Sequence, residues 1–290
     1  ALGPEIEEFE NAIKNYVGID HCAVLNSGTS SLHATLLAFG LGAGDDILVP
    51  SFSFVSTANS VLFVDATPSF VDIEEKTFGL NPELIKEKIS PATKAIIPMD
   101  YGGVSCQISE IKEHAENNNL LLIEDGAESL GSSVGGKKVG SISDATIFSF
   151  CGNKVLTTGE GGAALTNDNT LAREMFKLRC NGITRNQKEM TRTPNGPWYY
   201  EQLGLGFNYR MSDIQAALGT SQLSRLDSIV AQRNEIALRY DEALKDLPIE
   251  KLITLEGNYS ARHLYVIRVS KKNHLKIFLV NPGNYGVHCS

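Results

Sequence analysis

At 290 residues and 42% hydrophobic content, the chain is long enough for one large α/β core and part of a second domain. Its formal net charge is −8 with lysines and arginines spread along the chain, which argues against nucleic acid or an anionic membrane surface as a partner. The 5 cysteines are odd in number and none has CxxC or zinc-finger spacing, so neither a disulfide framework nor a metal site is expected.

In chain order, the acidic opening "ALGPEIEEFE" lacks the basic and apolar regions of a secretory leader, and no apolar run approaches the length of a membrane span. A soluble, cytoplasmic protein is expected. Ile6, Phe9, Ile13 and Val17 recur at helical spacing, predicting a first helix. "TSSLHATLLAF" predicts a second, opened by hydroxyl residues suited to capping. Short apolar runs then alternate with helical patterns through "DILVPS", "VSTANSVLFV", "PSFVDI", "NPELIKEKI", "KAIIPMD", "ISEIKEHAENN" and "LLLIED". That alternation predicts βαβ crossovers and a mostly parallel sheet, to which "ATIFSF" and "GGAALTN" add two strands.

From Ser212 to Leu244 the apolar residues keep helical spacing, predicting one long helix that bridges domains or lines a subunit interface. After it "HLYVIRV" alternates as a strand does, and "NHLKIFLV" fits a helix or a strand. The expected organisation is a large domain over 1–211, a connecting helix over 212–245 and part of a small α/β domain over 246–290.

Asp125 ends the apolar run "LLLIED", where open parallel sheets bind ligands. An aspartate there also serves as a helix cap or turn residue. Lys154 lies just past the next strand, in "FSFCGNKVLTTGEGG". Most lysines solvate the surface, but one held in a partly desolvated cleft loses its proton and attacks carbonyls. A lysine and an aspartate, each at a strand end, are the minimum apparatus for pyridoxal phosphate: an amine for the aldehyde and a negative charge for the ring nitrogen. "NSGTSSLHATLL" offers a phosphate seat, with Gly28 permitting a tight turn and Thr29 and Ser30 at a helix start. Ser149 adds a hydroxyl or is a strand serine bonded to backbone. Phe52 and Phe54 are candidates to cover the ring, or are core side chains.

These stretches, with "LGFNYRMSDIQAALGTSQL" and "HLYVIRV", resemble the sugar aminotransferases of the DegT/DnrJ/EryC1/StrS group, within the fold-type I pyridoxal-phosphate enzymes. The resemblance runs from "GPEIEEFE" to "VHCS" in unbroken order. It implies an α/β fold with a mostly parallel central sheet flanked by helices, and pyridoxal 5'-phosphate as cofactor. Lys154 would bear the cofactor and shuttle protons, and Asp125 would pair with the pyridine nitrogen. Phe54 would lie against the ring, Gly28, Thr29 and Ser149 at the phosphate, and Glu128 near the cofactor hydroxyl. Asn208 would cross to the neighbouring subunit's phosphate, implying a homodimer with shared sites. His288, in a segment similar to the family's "VHY", would approach substrate.

The implied reaction moves an amino group from glutamate to a keto sugar nucleotide. "NGITRNQKEM" and "PWYYEQLGLGFNYRMSDIQAALG" are similar to enzymes acting on UDP-linked 4-keto-6-deoxy-N-acetylhexosamines on the way to pseudaminic acid. "EDGAES" and "FSFCGNK" are instead similar to GDP-perosamine synthases and legionaminic-pathway enzymes, and a dTDP-linked amino-sugar synthase is a further alternative. Family members ordinarily extend beyond both ends of this sequence, so the resemblance also implies a portion of a longer protein. A different fold-type I enzyme, such as a desulfurase or lyase, is one rival reading. A non-catalytic binding or regulatory relative is another.

Overall fold

The computed structural model describes residues 3–269. Helix α1 (Pro4–Val17) begins with proline in its first turn beside Glu5 and Glu7 and carries Lys14 in its last. Those charges suit the helix dipole, and Gly18 stops the helix in a left-handed turn. Ile6, Phe9, Ile13 and Val17 are all buried, as their spacing predicts.

Seven strands form the central sheet: β1 (His21–Leu25), β2 (Asp46–Pro50), β3 (Thr67–Val71), β4 (Thr93–Ile96), β5 (Leu121–Asp125), β6 (Ala145–Ser149) and β7 (Gly162–Thr166). Their order is β1-β7-β6-β5-β4-β2-β3. β7 alone is antiparallel, to β1 on one side and β6 on the other, and the remaining pairs are parallel. The sheet is mostly parallel, as expected.

Alternation along the strands divides the core. Ile47, Val49, Ile123 and Ile147 pack with α2 (Gly28–Ala38) and α6 (Asn169–Arg179) on one face. Their neighbours Leu48, Ile96 and Leu122 face α4 (Pro82–Lys88) and α5 (Ile108–Asn117) on the other. Phe148, Ala163 and Leu165 meet α1 on that second face, together with residues of α7 (Asp213–Leu223) and α8 (Leu226–Ala243). Each large side chain buried this way contributes about 1.5–3 kcal/mol.

The stretch expected to be one long helix is two, α7 and α8, parted at Ser224–Arg225. Ser224 Oγ donates to Ser221 O at 2.9 Å, competing for a backbone carbonyl where the turn tightens. Leu223, Leu226 and Val230, on either side of the break, all enter one core cluster. Of "HLYVIRV", only Ile267–Val269 is a strand, paired with Ile249–Lys251. His263 and Leu264 instead lie along the Gly102–Gly103 turn, where the Leu264 N–H donates to Gly102 O and the Ala261 N–H to Gly103 O. "NHLKIFLV" and His288 lie outside the described residues. Helix α3 (Ser56–Phe63) follows β2 and completes the frame around the site.

Candidate active site

A cleft of about 330 Å³ opens at the carboxyl ends of β1, β5 and β6. Gly28, Thr29, Asp125, Ser149 and Lys154 line it, as do Phe54 and Glu128. The fold thus gathers seven of the site residues expected from sequence into one cavity.

Asp125 is the last residue of β5, held by Asp125 N–H donating to Pro98 O at 2.8 Å. Its Oδ2 accepts from Thr57 Oγ1 at 2.8 Å and its Oδ1 from the Ala127 N–H at 3.2 Å. Burial pushes its carboxyl above the usual carboxylate range, while those two bonds act the other way. A buried carboxylate of this kind favours a cationic partner in the cleft. Thr57 was not apparent from sequence; its only signal is its place in the hydroxyl-rich run "SFSFVSTANS".

Lys154 sits on the loop joining β6 to β7. The loop closes on itself, with Phe150 N–H donating to Gly161 O at 2.8 Å and Thr158 N–H to Phe150 O at 2.9 Å. Val155 and Leu156, next in sequence, are 5% and 1% exposed, so they anchor the loop and keep Lys154 from swinging into solvent. Its Nζ donates to Glu128 Oε1 at 3.1 Å. Glu128 Oε2 accepts from the Gly102 N–H at 2.7 Å.

Helix α2 starts at the cleft. Ser27 caps it, its Oγ accepting from the Ser30 N–H while Ser30 Oγ accepts from the Ser27 N–H. Among the described residues this leaves the N–H groups of Gly28 and Thr29 for an anion. A Cβ on Gly28 would lie 3.0 Å from Ser149 Cβ, so the close approach of helix and strand favours a glycine. Thr29 Oγ1 is 2.8 Å from Ser56 Oγ, tying α2 to α3.

Of the two phenylalanines, Phe54 borders the cleft and is 66% exposed. Phe52 packs on Tyr101, ring centroids 4.8 Å apart. Asn208 is exposed and stands outside the cleft lining of its own chain; its carbonyl accepts from Asn26 Nδ2 at 3.4 Å. His263, unnoticed in the sequence beyond its strand-like setting, is buried with Nε2 3.5 Å from Glu128 Oε1.

A mostly parallel sheet with lysine, aspartate and a helix start meeting at its carboxyl edge is the architecture shared by the fold-type I pyridoxal-phosphate proteins. The chain matches the profile of the DegT/DnrJ/EryC1/StrS aminotransferase family over residues 1–283, and it belongs to that family. It is 42% identical over 247 residues to a GDP-perosamine synthase of Caulobacter vibrioides, covering 85% of this chain and 64% of that protein. It is 39% identical over 272 residues to the spore coat polysaccharide biosynthesis protein SpsC of Bacillus subtilis, covering 93% of this chain and 69% of the relative. The chain therefore spans about two thirds of the length of these relatives. The solved structure of Helicobacter pylori PseC, an aminotransferase involved in the biosynthesis of pseudoaminic acid, superposes with a TM-score of 0.86 at 32% identity, covering 96% of this chain and 73% of that one.

Proposed function

We propose that this chain carries the site of an aminotransferase that uses pyridoxal 5'-phosphate to move an amino group from glutamate to a keto sugar nucleotide. The observation that carries the reading is the meeting of Lys154 and Asp125 in one cleft with the start of α2. The residues fit the cofactor: Gly28 and Thr29 offer N–H groups to its phosphate beside Ser149, Asp125 suits its ring nitrogen, and Phe54 its ring face. When bound, the cofactor supplies an aldehyde that condenses with amines and a ring that absorbs an electron pair.

The side chains divide the remaining work. Asp125, braced by Thr57 and Ala127, holds a proton at the ring nitrogen. Lys154 Nζ, once free, takes a proton from the donor carbon and returns one to the acceptor carbon. Glu128 Oε1 gives that amine a fixed resting place. The capped start of α2 draws the phosphate and so sets the ring's position.

A UDP-linked 4-keto-6-deoxy-N-acetylhexosamine is the acceptor in this reading, supported by the resemblance to PseC. The Caulobacter relative favours a second, GDP-linked acceptor. A homodimer with shared sites goes with both, Asn208 reaching the partner's phosphate and His288 the substrate. Exposed Leu62, Phe63, Ile214 and Leu218 supply apolar surface for it. Among the described residues no helix is long and apolar enough to cross a membrane.

The test incubates cofactor-loaded protein and glutamate with UDP-, GDP- and dTDP-linked 4-keto-6-deoxy sugars, reading amino-sugar product by mass spectrometry. One acceptor is expected to stand out. Failure of glutamate to yield 2-oxoglutarate with every acceptor would refute amino transfer.

A further inference from the structure

Gly102 and Gly103 turn the chain after β4 at φ of 67° and 84°, in the left-handed region that favours glycine. A Cβ on Gly103 would lie 2.9 Å from both Glu128 O and His263 N. Three segments meet here, and hydrogen bonds stitch them together. Ser132 Oγ and Ser260 Oγ each donate to Gly103 O at 2.8 Å, Ala261 N–H donates to Ser132 Oγ at 2.8 Å, and Leu264 N–H donates to Gly102 O at 3.1 Å. The stitched segment brings His263 Nε2 to within 3.5 Å of the oxygen that accepts from Lys154, Glu128 Oε1, a near electrostatic contact and not a formed hydrogen bond.

We propose that His263 is a positioning residue for Lys154, its Nε2–H orienting Glu128 and drawing part of the carboxylate's charge away from the lysine amine. The proposal rests on the reading of Lys154 as the cofactor-bearing amine. A carboxylate beside an ammonium holds the proton on nitrogen, and a donor aimed at the same oxygen loosens that hold. A neutral amine is what the proposed chemistry needs from Lys154.

His263 suits this task. Its Nδ1 is buried and has no hydrogen-bond partner among the described residues, so the proton belongs on Nε2, facing Glu128. Burial is the main reason its pKa is pushed down to about 4; Glu128 opposes the shift, while Lys154 and Arg233 add to it. The ring is therefore a neutral donor at physiological pH. The other titratable groups facing the trio are Asp125, Cys151 and Glu160 along the cleft, Tyr101 beside Glu128, and Arg233, which donates to the His263 carbonyl at 3.2 Å.

The test measures acylation of Lys154 in cofactor-free protein across pH, quantified on its peptide by mass spectrometry. His263→Leu is expected to move the profile to higher pH by about 1 unit, a tenfold loss of free amine at fixed pH. His263→Phe, a ring without nitrogen, is a second variant expected to shift it alike. His263→Gln, whose amide N–H reaches toward Glu128, is expected to restore the original profile. In a Glu128→Gln background His263→Leu is expected to add nothing, because both act through one carboxylate. An unmoved profile in folded Leu or Phe variants overturns the proposal. So does a Gln variant that behaves like Leu, or an undiminished shift without Glu128. Failure of the parent reading looks different: borohydride would then fix no cofactor on Lys154 in the unaltered protein.

Discussion

Lys154 Nζ donates to Glu128 Oε1 across 3.1 Å, with the two side chains only 15% and 9% exposed. Glu128 is held independently by the Gly102 N–H at 2.7 Å. Lys154→Ala is therefore expected to keep the fold and to lose every borohydride-trappable cofactor adduct. Intact-mass measurement after reduction checks this, and an adduct in the variant would assign the cofactor to another lysine.

Asp125→Asn keeps the shape of the carboxylate and removes its charge. Cofactor is expected to bind still, while the glutamate half-reaction slows at least about a hundredfold, roughly 2.7 kcal/mol of transition-state stabilisation. Single-turnover spectra with glutamate give the rate. Activity near that of the parent would remove Asp125 from its assigned role.

Gly28→Val should press on Ser149, because even a Cβ at position 28 would lie 3.0 Å from Ser149 Cβ. Cofactor affinity is expected to fall at least about tenfold, about 1.4 kcal/mol, as helix start and strand end separate. Fluorescence titration with pyridoxal phosphate measures it.

Glu124, wholly buried, accepts from Thr146 Oγ1 at 3.0 Å and Ser143 Oγ at 3.3 Å on one oxygen only. Burial first, then the Asp100 charge, raises its pKa from 4.5 to about 8. Burial likewise raises Asp100 from 3.8 to about 6. The folded protein thus binds protons that the unfolded chain has released, so stability falls as pH rises through these windows and levels off above about 8. Urea midpoints across that range are expected to decline, and Glu124→Gln to flatten the decline.

If Asn208 serves the partner's site, Lys154→Ala and Asn208→Ala chains should rescue one another. In a mixed dimer one site has both defects and the other has neither. Activity above that of either variant alone is the expected outcome, and none above background would leave each site within one chain.

Much of the frame was legible in the sequence, because period-2 and period-3.6 patterns report burial directly. Leu48 against Ile47 and Val49 reads as two sheet faces, and Ile6, Phe9, Ile13 and Val17 as one helix stripe. Lys154 and Asp125 could be singled out because strand ends present them. The break at Ser224 was not legible, since Ser221 and Ser224 are neither proline nor glycine and their effect depends on packing against α1 and the sheet. Thr57 and His263 were missed for a related reason. Each acts through a partner remote in sequence, Asp125 for one and Glu128 for the other, and local pattern carries no such information.

The lone reversed strand bears on the order in which the molecule assembles. β6 and β7 flank the Lys154 loop and pair as near neighbours, whereas β1 reaches β7 only by matching His21 with Thr166 across the intervening chain. Contacts so distant in sequence close late, because the entropy of the large loop must be overcome first. The Gly28 turn follows directly from β1, so a refolding chain would close the loop that bears its reactive amine before the phosphate seat docks beside it. Cofactor capture would then mark the end of folding, and a refolding time course followed by cofactor fluorescence should lag one followed by backbone circular dichroism.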